Sequence, residues 1–145
     1  MASKTTGDAL AETMHYENSR YGVDTVIVQP GAYTAGTNHF GDAQHAEDDA
    51  VTAAYDRIAD LLPKLVSRLD SLNQPDRRTD VQEVAERIRD VIDQDKGRRP
   101  FRIVVDPQHH GAEEVNAEAS ARQRDFMERF GIADLLDVEG TDTPN

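Results

Sequence analysis

Val23-Asp24-Thr25-Val26-Ile27-Val28-Gln29-Pro30-Gly31 is the stretch on which the fold turns. Its β-branched centre, Val26-Ile27-Val28, does not alternate with polar residues, and an unbroken apolar run of that length suits a parallel strand covered on both faces. Pro30-Gly31 stops it. Immediately before it stands Gly22, a helix stop, and residues 2–21 ahead of that glycine predict a helix with Ala9, Leu10, Thr13 and Met14 on one side and Ser3 available as a cap. Beyond the strand, residues 31–45 show no period. They predict a loop at the carboxyl end of the strand, which is where ligands of open α/β sheets sit.

Further along, Ala50, Val51, Ala54, Tyr55, Ile58, Leu61, Leu62, Leu65, Val66 and Leu69 recur at three and four, so residues 47–72 predict a helix with one apolar face. Pro63 interrupts it, predicting either a kink or a second helix with proline in its first turn. After a polar turn over residues 73–78, Thr79 is placed to cap a helix carrying Val81, Val84, Ala85, Ile88, Val91 and Ile92, with Gln82 at capping-box distance and Gly97 as the stop. Residues 99–107 form a second strand pattern bracketed by Pro100 and Pro107, so it belongs near a sheet edge. A last helix is predicted over residues 112–130, closed by Gly131 and followed by Ile132, Leu135 and Leu136; Gly140 to Asn145 read as a disordered tail. Acidic pairs Asp48-Asp49 and Glu113-Glu114 fall where helix N-termini favour negative charge.

The pattern is α/β, but an independent sheet needs about three strands. Two strands with four or five helices therefore predict part of a larger sheet, incomplete as a domain.

Composition narrows the classes. The chain has 145 residues, 28 acidic against 16 basic, for a formal charge of −12. A surface of that sign repels phosphate backbones, and Arg77-Arg78 and Arg98-Arg99 are too small to make a groove-tracking stripe. Nucleic acid is not an expected partner. No apolar run exceeds three residues, which excludes a helical membrane span or secretory core and leads to an expected cytoplasmic location without membrane association. Zero cysteines exclude disulfides, thiolate metal sites and cysteine nucleophiles. The histidines (His15, His39, His45, His109, His110) lack ligand-like spacing, and no metal is expected.

Ala2-Ser3-Lys4 at the head of the first helix, then Tyr16-Glu17, Tyr21-Gly22-Val23-Asp24 and Val26 to Gly31, follow one another in fixed order. This run resembles the short-chain dehydrogenase/reductase family. There a tyrosine lies one helical turn before a lysine that opens a long helix, a glutamate comes late in that helix, and the next strand ends in Pro-Gly. Pro100-Phe101-Arg102 opening the last strand, and the helix closing at Gly131, are similar to the end of such proteins. The resemblance covers about the whole chain but only the carboxyl-terminal half of a family member.

What the resemblance implies is the carboxyl-terminal part of a Rossmann-type, doubly wound parallel sheet over residues 1–139. Within it, residues 1–31 hold the lysine helix, strand and Pro-Gly turn, 32–78 the substrate lid, and 79–139 the last helix-strand-helix. The intact family member uses NAD or NADP to move a hydride between a small alcohol and a carbonyl compound. Lys4 matches the catalytic lysine that hydrogen-bonds the nicotinamide ribose and, as a nearby cation, lowers the pKa of the tyrosine acid/base. Pro30 and Gly31 match the turn beside the nicotinamide, with the backbone at Tyr33 as partner of its carboxamide. Where the family places a threonine a few residues past the proline, this chain has Ala35. Thr34 is the nearest substitute. Tyr33 and Phe40 are expected to face substrate from the lid. Outside that register a first-turn lysine is ordinarily just solvated, Pro-Gly a plain turn, and Tyr33 and Phe40 lid packing.

The glycine-rich phosphate loop, the cofactor-selecting residue and the active-site serine and tyrosine belong to the family's first half, and the tyrosine's register falls just before Met1. The expectation is that Met1 is internal to a longer frame or that the gene is truncated. Taken alone, the chain is then expected to bind no cofactor and to be inactive, the intact form being a homo-oligomer. The alternative is a non-catalytic remnant serving as an assembly module with an intact homologue. In either case the 23–29 strand would expose an unpaired edge. The isolated chain is expected to self-associate, and a monodisperse monomer with a sharp cooperative melt on light scattering and calorimetry would contradict this.

Overall fold

A computed structural model describes residues 2–39, 41–44 and 47–138. The fold is mixed α/β with a two-stranded parallel sheet and divides into two units: residues 1–30, 84–105 and 111–145, and residues 31–83 with 106–110. The expected tail at Gly140 to Asn145, Met1 and the lid residue Phe40 lie outside the described residues.

In the first unit, α1 (Ala2–Asn18) runs into a 3-10 turn (Ser19–Tyr21) that ends at Gly22, whose φ of 69° is the left-handed conformation only glycine adopts without strain. Because the helix already includes Ala2, Ser3 lies inside it and is not its cap. Strand β1 (Ile27–Pro30) begins later than the β-branched run, since Val23 to Val26 precede the first rung of the ladder. It pairs in parallel with β2 (Arg102–Val105), Ile27 opposite Arg102 and Pro30 opposite Val105. Pro100 and Pro107 flank β2 and break no ladder bond.

The period-2 pattern of β2 sorts its side chains to two faces. Ile103 and Val105 are buried, and Ile103 lies with Val26 and Val28 beside Ile88, Val91 and Ile92 of α4 (Gln82–Ile92). On the opposite face Arg102 reaches Asp8 and Glu12 of α1, while Gln29 accepts a hydrogen bond from Asn116 of α5 (Ala112–Phe130). Helices thus cover both faces, as the unbroken apolar centre of β1 predicts. Gly131, with a φ of 70°, ends α5 at the predicted place, and the 3-10 turn Ala133–Leu136 returns to α1, where the buried His15 bonds the Leu136 carbonyl at 3.1 Å and lies against the Phe101 ring. At the amino-terminal end of the sheet Asp24 is also paired with Arg99 at 3.1 Å.

In the second unit, α2 (Asp49–Ala54) is capped by the Asp48 carboxylate, which accepts from the amides of Ala50 and Val51. A 3-10 turn (Asp56–Ile58) separates it from α3 (Leu61–Leu72), where Pro63 sits in the first turn and needs no hydrogen bond. The continuous apolar face predicted for residues 47–72 is buried at Leu69 but exposed at Val51, Tyr55, Ile58, Leu61, Leu65 and Leu72. The break at the 3-10 turn splits the face into two short stripes. α4, whose first two residues lie in this unit, is capped by Asp80 rather than Thr79: the Asp80 carboxylate accepts from the Gln82 amide at 2.8 Å. An isolated parallel bridge joins Asp80 to Ala35.

Candidate functional site

In the first unit, Lys4 stands in the opening turn of α1 and is exposed. With Thr5, Gly7, Asp8 and Ala11 it lines a cleft of about 560 Å³ whose other wall is Val26 and, in β1, Ile27 to Gln29. β1 pairs with β2 on one side, and no described residue forms a strand along its other edge. The Lys4 ammonium makes no hydrogen bond or ion pair with a described residue, whereas Asp8 on the same wall is turned to Arg102 at 3.3 Å.

A polar network backs this unit. Arg102, with a side chain 12% exposed, bonds Glu12 at 3.0 Å and lies over the Phe101 ring at 4.5 Å. Glu12 also accepts from the Tyr16 hydroxyl at 2.7 Å and from Gln123 at 2.6 Å. Burial works against the ionised Glu12, but the hydrogen bonds from Tyr16 and Arg102 and the guanidinium charge outweigh it and hold the carboxyl below its ordinary range. Burial, and then the Glu12 carboxylate, push Tyr16 up to about 12. Glu17, the glutamate of this helix singled out from the sequence, is exposed.

Pro30 closes β1 in the first unit, and Gly31, Tyr33 and Thr34 open the second. A β-carbon on Gly31 would lie 2.2 Å from Oδ1 of Asp106 and 2.9 Å from Oε1 of Gln108, so that position has room only for glycine. Asp106 accepts from the amides of Gln108 at 2.9 Å and His110 at 2.8 Å and contacts the His110 ring Nδ1 at 3.0 Å. Burial raises its pKa, yet these N–H groups and the His110 charge prevail, and the carboxyl sits below its ordinary value. Tyr33 is only 5% exposed. Its hydroxyl donates to Glu83 at 3.2 Å and is pushed up to about 12 by burial and by that carboxylate. Thr34 is exposed and donates to Asp70 at 2.6 Å.

The sequence-predicted residues therefore divide: Lys4 and Pro30 belong to one unit, Gly31, Tyr33 and Thr34 to the other, and Phe40 is outside the described residues. Asp106, Gln108 and Asn73, which surround the Gly31 turn, carry no periodic signal. Only Asp106-Pro107 just past a strand marks a turn there. Among the described residues no cluster of three or more histidine, aspartate or glutamate side chains could hold a metal, and no helix is long and apolar enough to cross a membrane. No family model matches the chain, and a search of curated proteins finds no match either.

Proposed function

We propose that this chain is the carboxyl-terminal half of an oxidoreductase of the short-chain dehydrogenase/reductase type, whose complete pocket transfers a hydride between NAD or NADP and a small alcohol or ketone. The observation that carries the reading is the order of parts: a lysine at the head of a helix, lining a cleft along a parallel strand that ends in Pro-Gly, followed by a crossover to a second parallel strand with helices on both faces. A doubly wound, Rossmann-type sheet has this construction.

The residues present suit one end of the cofactor. Lys4 is unpaired toward described residues and free to hydrogen-bond a ribose hydroxyl, and its charge would lower the pKa of a phenol placed beside it. By the same resemblance the backbone of Tyr33, with Thr34 next to it, would meet the carboxamide, on a turn whose Gly31 leaves room for Asp106 and Gln108 to pack against it. Nothing in the sequence resembles a glycine-rich phosphate loop, so in this reading the pyrophosphate site and the tyrosine acid/base come from polypeptide outside it. The bound nicotinamide supplies or takes the hydride. The protein's task is to hold the ring and to move the proton.

The test is to join the chain to the amino-terminal half of a family member and follow reduced nicotinamide with a panel of small ketones. Turnover is expected, and Lys4→Ala should lower it by about 100-fold or more, the low end of what positioned acid/base chemistry contributes. A folded fusion without turnover, or one indifferent to Lys4→Ala, would sink the proposal.

A second reading is favoured by the open edge of β1. A non-catalytic chain pairing that edge with an intact homologue would form a stable complex with it. Native mass spectrometry of the mixture distinguishes this from the first reading, because the complex would persist with the Lys4→Ala chain.

A further inference from the structure

We infer that Gln108 is a positioning residue whose side-chain amide fixes the backbone of the Gly31–Tyr33 turn by taking the place of a neighbouring strand. β1 ends at Pro30, so the ladder offers nothing to Ala32. Gln108 does: its Oε1 accepts the Ala32 N–H at 3.0 Å and its Nε2 donates to the Ala32 carbonyl at 2.7 Å. Two antiparallel residues exchange bonds in the same way, both groups of one residue answered by one partner. The second Nε2 hydrogen goes to Oδ1 of Asn73. One acceptor and two donors are thus matched to one donor and two acceptors, a set that an amide satisfies and a carboxylate or hydroxyl does not.

The clamp is itself held at its root. Gln108 is 8% exposed, its amide is taken by the Asp106 carboxylate, and the preceding Pro107 is fully buried with its carbonyl accepting from Gln74 at 2.9 Å. A side chain so anchored loses little further freedom when it bonds Ala32, so the turn is held by groups already in place. The clamp stands on this geometry alone. Its functional consequence, that Gln108 aims the backbone toward nicotinamide, rests on the reading above.

The clamp is tested on the full chain by amide hydrogen exchange. In Gln108→Leu, similar in length but without polar atoms, protection of the Ala32 amide should fall about tenfold or more, while the Ile27 amide, bonded to Phe101 in the other unit, keeps its own. In Gln108→Glu, protection at neutral pH should also be lower than in the unmodified chain, because an ionised carboxylate faces the Ala32 and Asn73 oxygens. It should recover on acidification, when a neutral carboxyl again supplies a donor. Unchanged Ala32 protection in Gln108→Leu overturns the inference. Should that variant not fold, a Gln108→Glu chain whose Ala32 protection, relative to the unmodified chain, does not respond to pH overturns it. In the joined protein, Gln108→Leu should lower kcat more than it raises KM for the dinucleotide. Lost Ala32 protection with unaltered kcat and KM would leave the clamp standing and count against the nicotinamide reading instead.

Discussion

Replacing Gly31 by alanine is expected to destabilise the protein by about 2–3 kcal/mol, in the upper range for forcing a methyl group into filled space. The added carbon would sit 2.2 Å from an Asp106 oxygen and 2.9 Å from both the Asp106 carboxyl carbon and the Gln108 amide oxygen. None of these groups is free to give way. The Asp106 side chain is 6% exposed and engaged with two backbone amides and the His110 ring, and Gln108 is engaged with Ala32 and Asn73. Gly7→Ala is the control, with the opposite sign. Gly7 lies inside α1 with nothing within 4 Å of its would-be β-carbon, so alanine there should stabilise by about 0.5–1 kcal/mol. Urea unfolding of both variants decides the matter, and equal midpoints would mean that Asp106 does not occupy the space over Gly31. In the Gly31→Ala, Asp106→Ala double variant the combined cost should be smaller than the sum of the single costs, because the second change removes the obstacle created by the first.

Arg102→Met should cost about 2 kcal/mol and also change how stability depends on pH. The guanidinium is the cation between Asp8 and Glu12 and also lies over the Phe101 ring, and methionine keeps only the apolar stem while leaving two carboxylates without their cation. Breaking a fully buried pair costs more, but Asp8 and Glu12 are about a third exposed, and water recovers part of the loss. The folded-state pKa of Glu12 lies below its unfolded value, so its contribution is fully present above the unfolded pKa of about 4.3 and is lost as pH falls through the folded one. Without Arg102, burial opposes ionisation with less to offset it, and this acid-side loss should shrink. Stability measured from neutral pH down to about pH 3 in both proteins shows the difference, and parallel curves would remove Glu12 from the account.

The elements were legible where a single local rule governs. α5 runs from Ala112 to Phe130 because a 3.6-residue pattern meets a glycine that accepts positive φ, and the Pro63 break follows from a missing N–H and a fixed ring. Cap identities were less legible. Thr79 and Asp80 are adjacent and both can cap, and the bridge between Asp80 and Ala35 sets which of them stands at the helix start. The apolar stripe of residues 47–72 shows the limit of periodicity. It says which residues share a helix face but not whether another element covers them, and Leu65 is exposed where Leu69 is buried.

For the site, the sequence by itself determined the residue types and their order: a lysine heading a helix, then a strand, then Pro-Gly, with a second strand far along the chain. Only the tertiary structure decided what those residues touch. In the second unit Asp106 and Gln108 meet Gly31 and Ala32, more than seventy positions away in the chain. A hydrogen bond at that separation leaves no period and no spacing to read, because its partners are set by how distant segments pack and not by the residues between them.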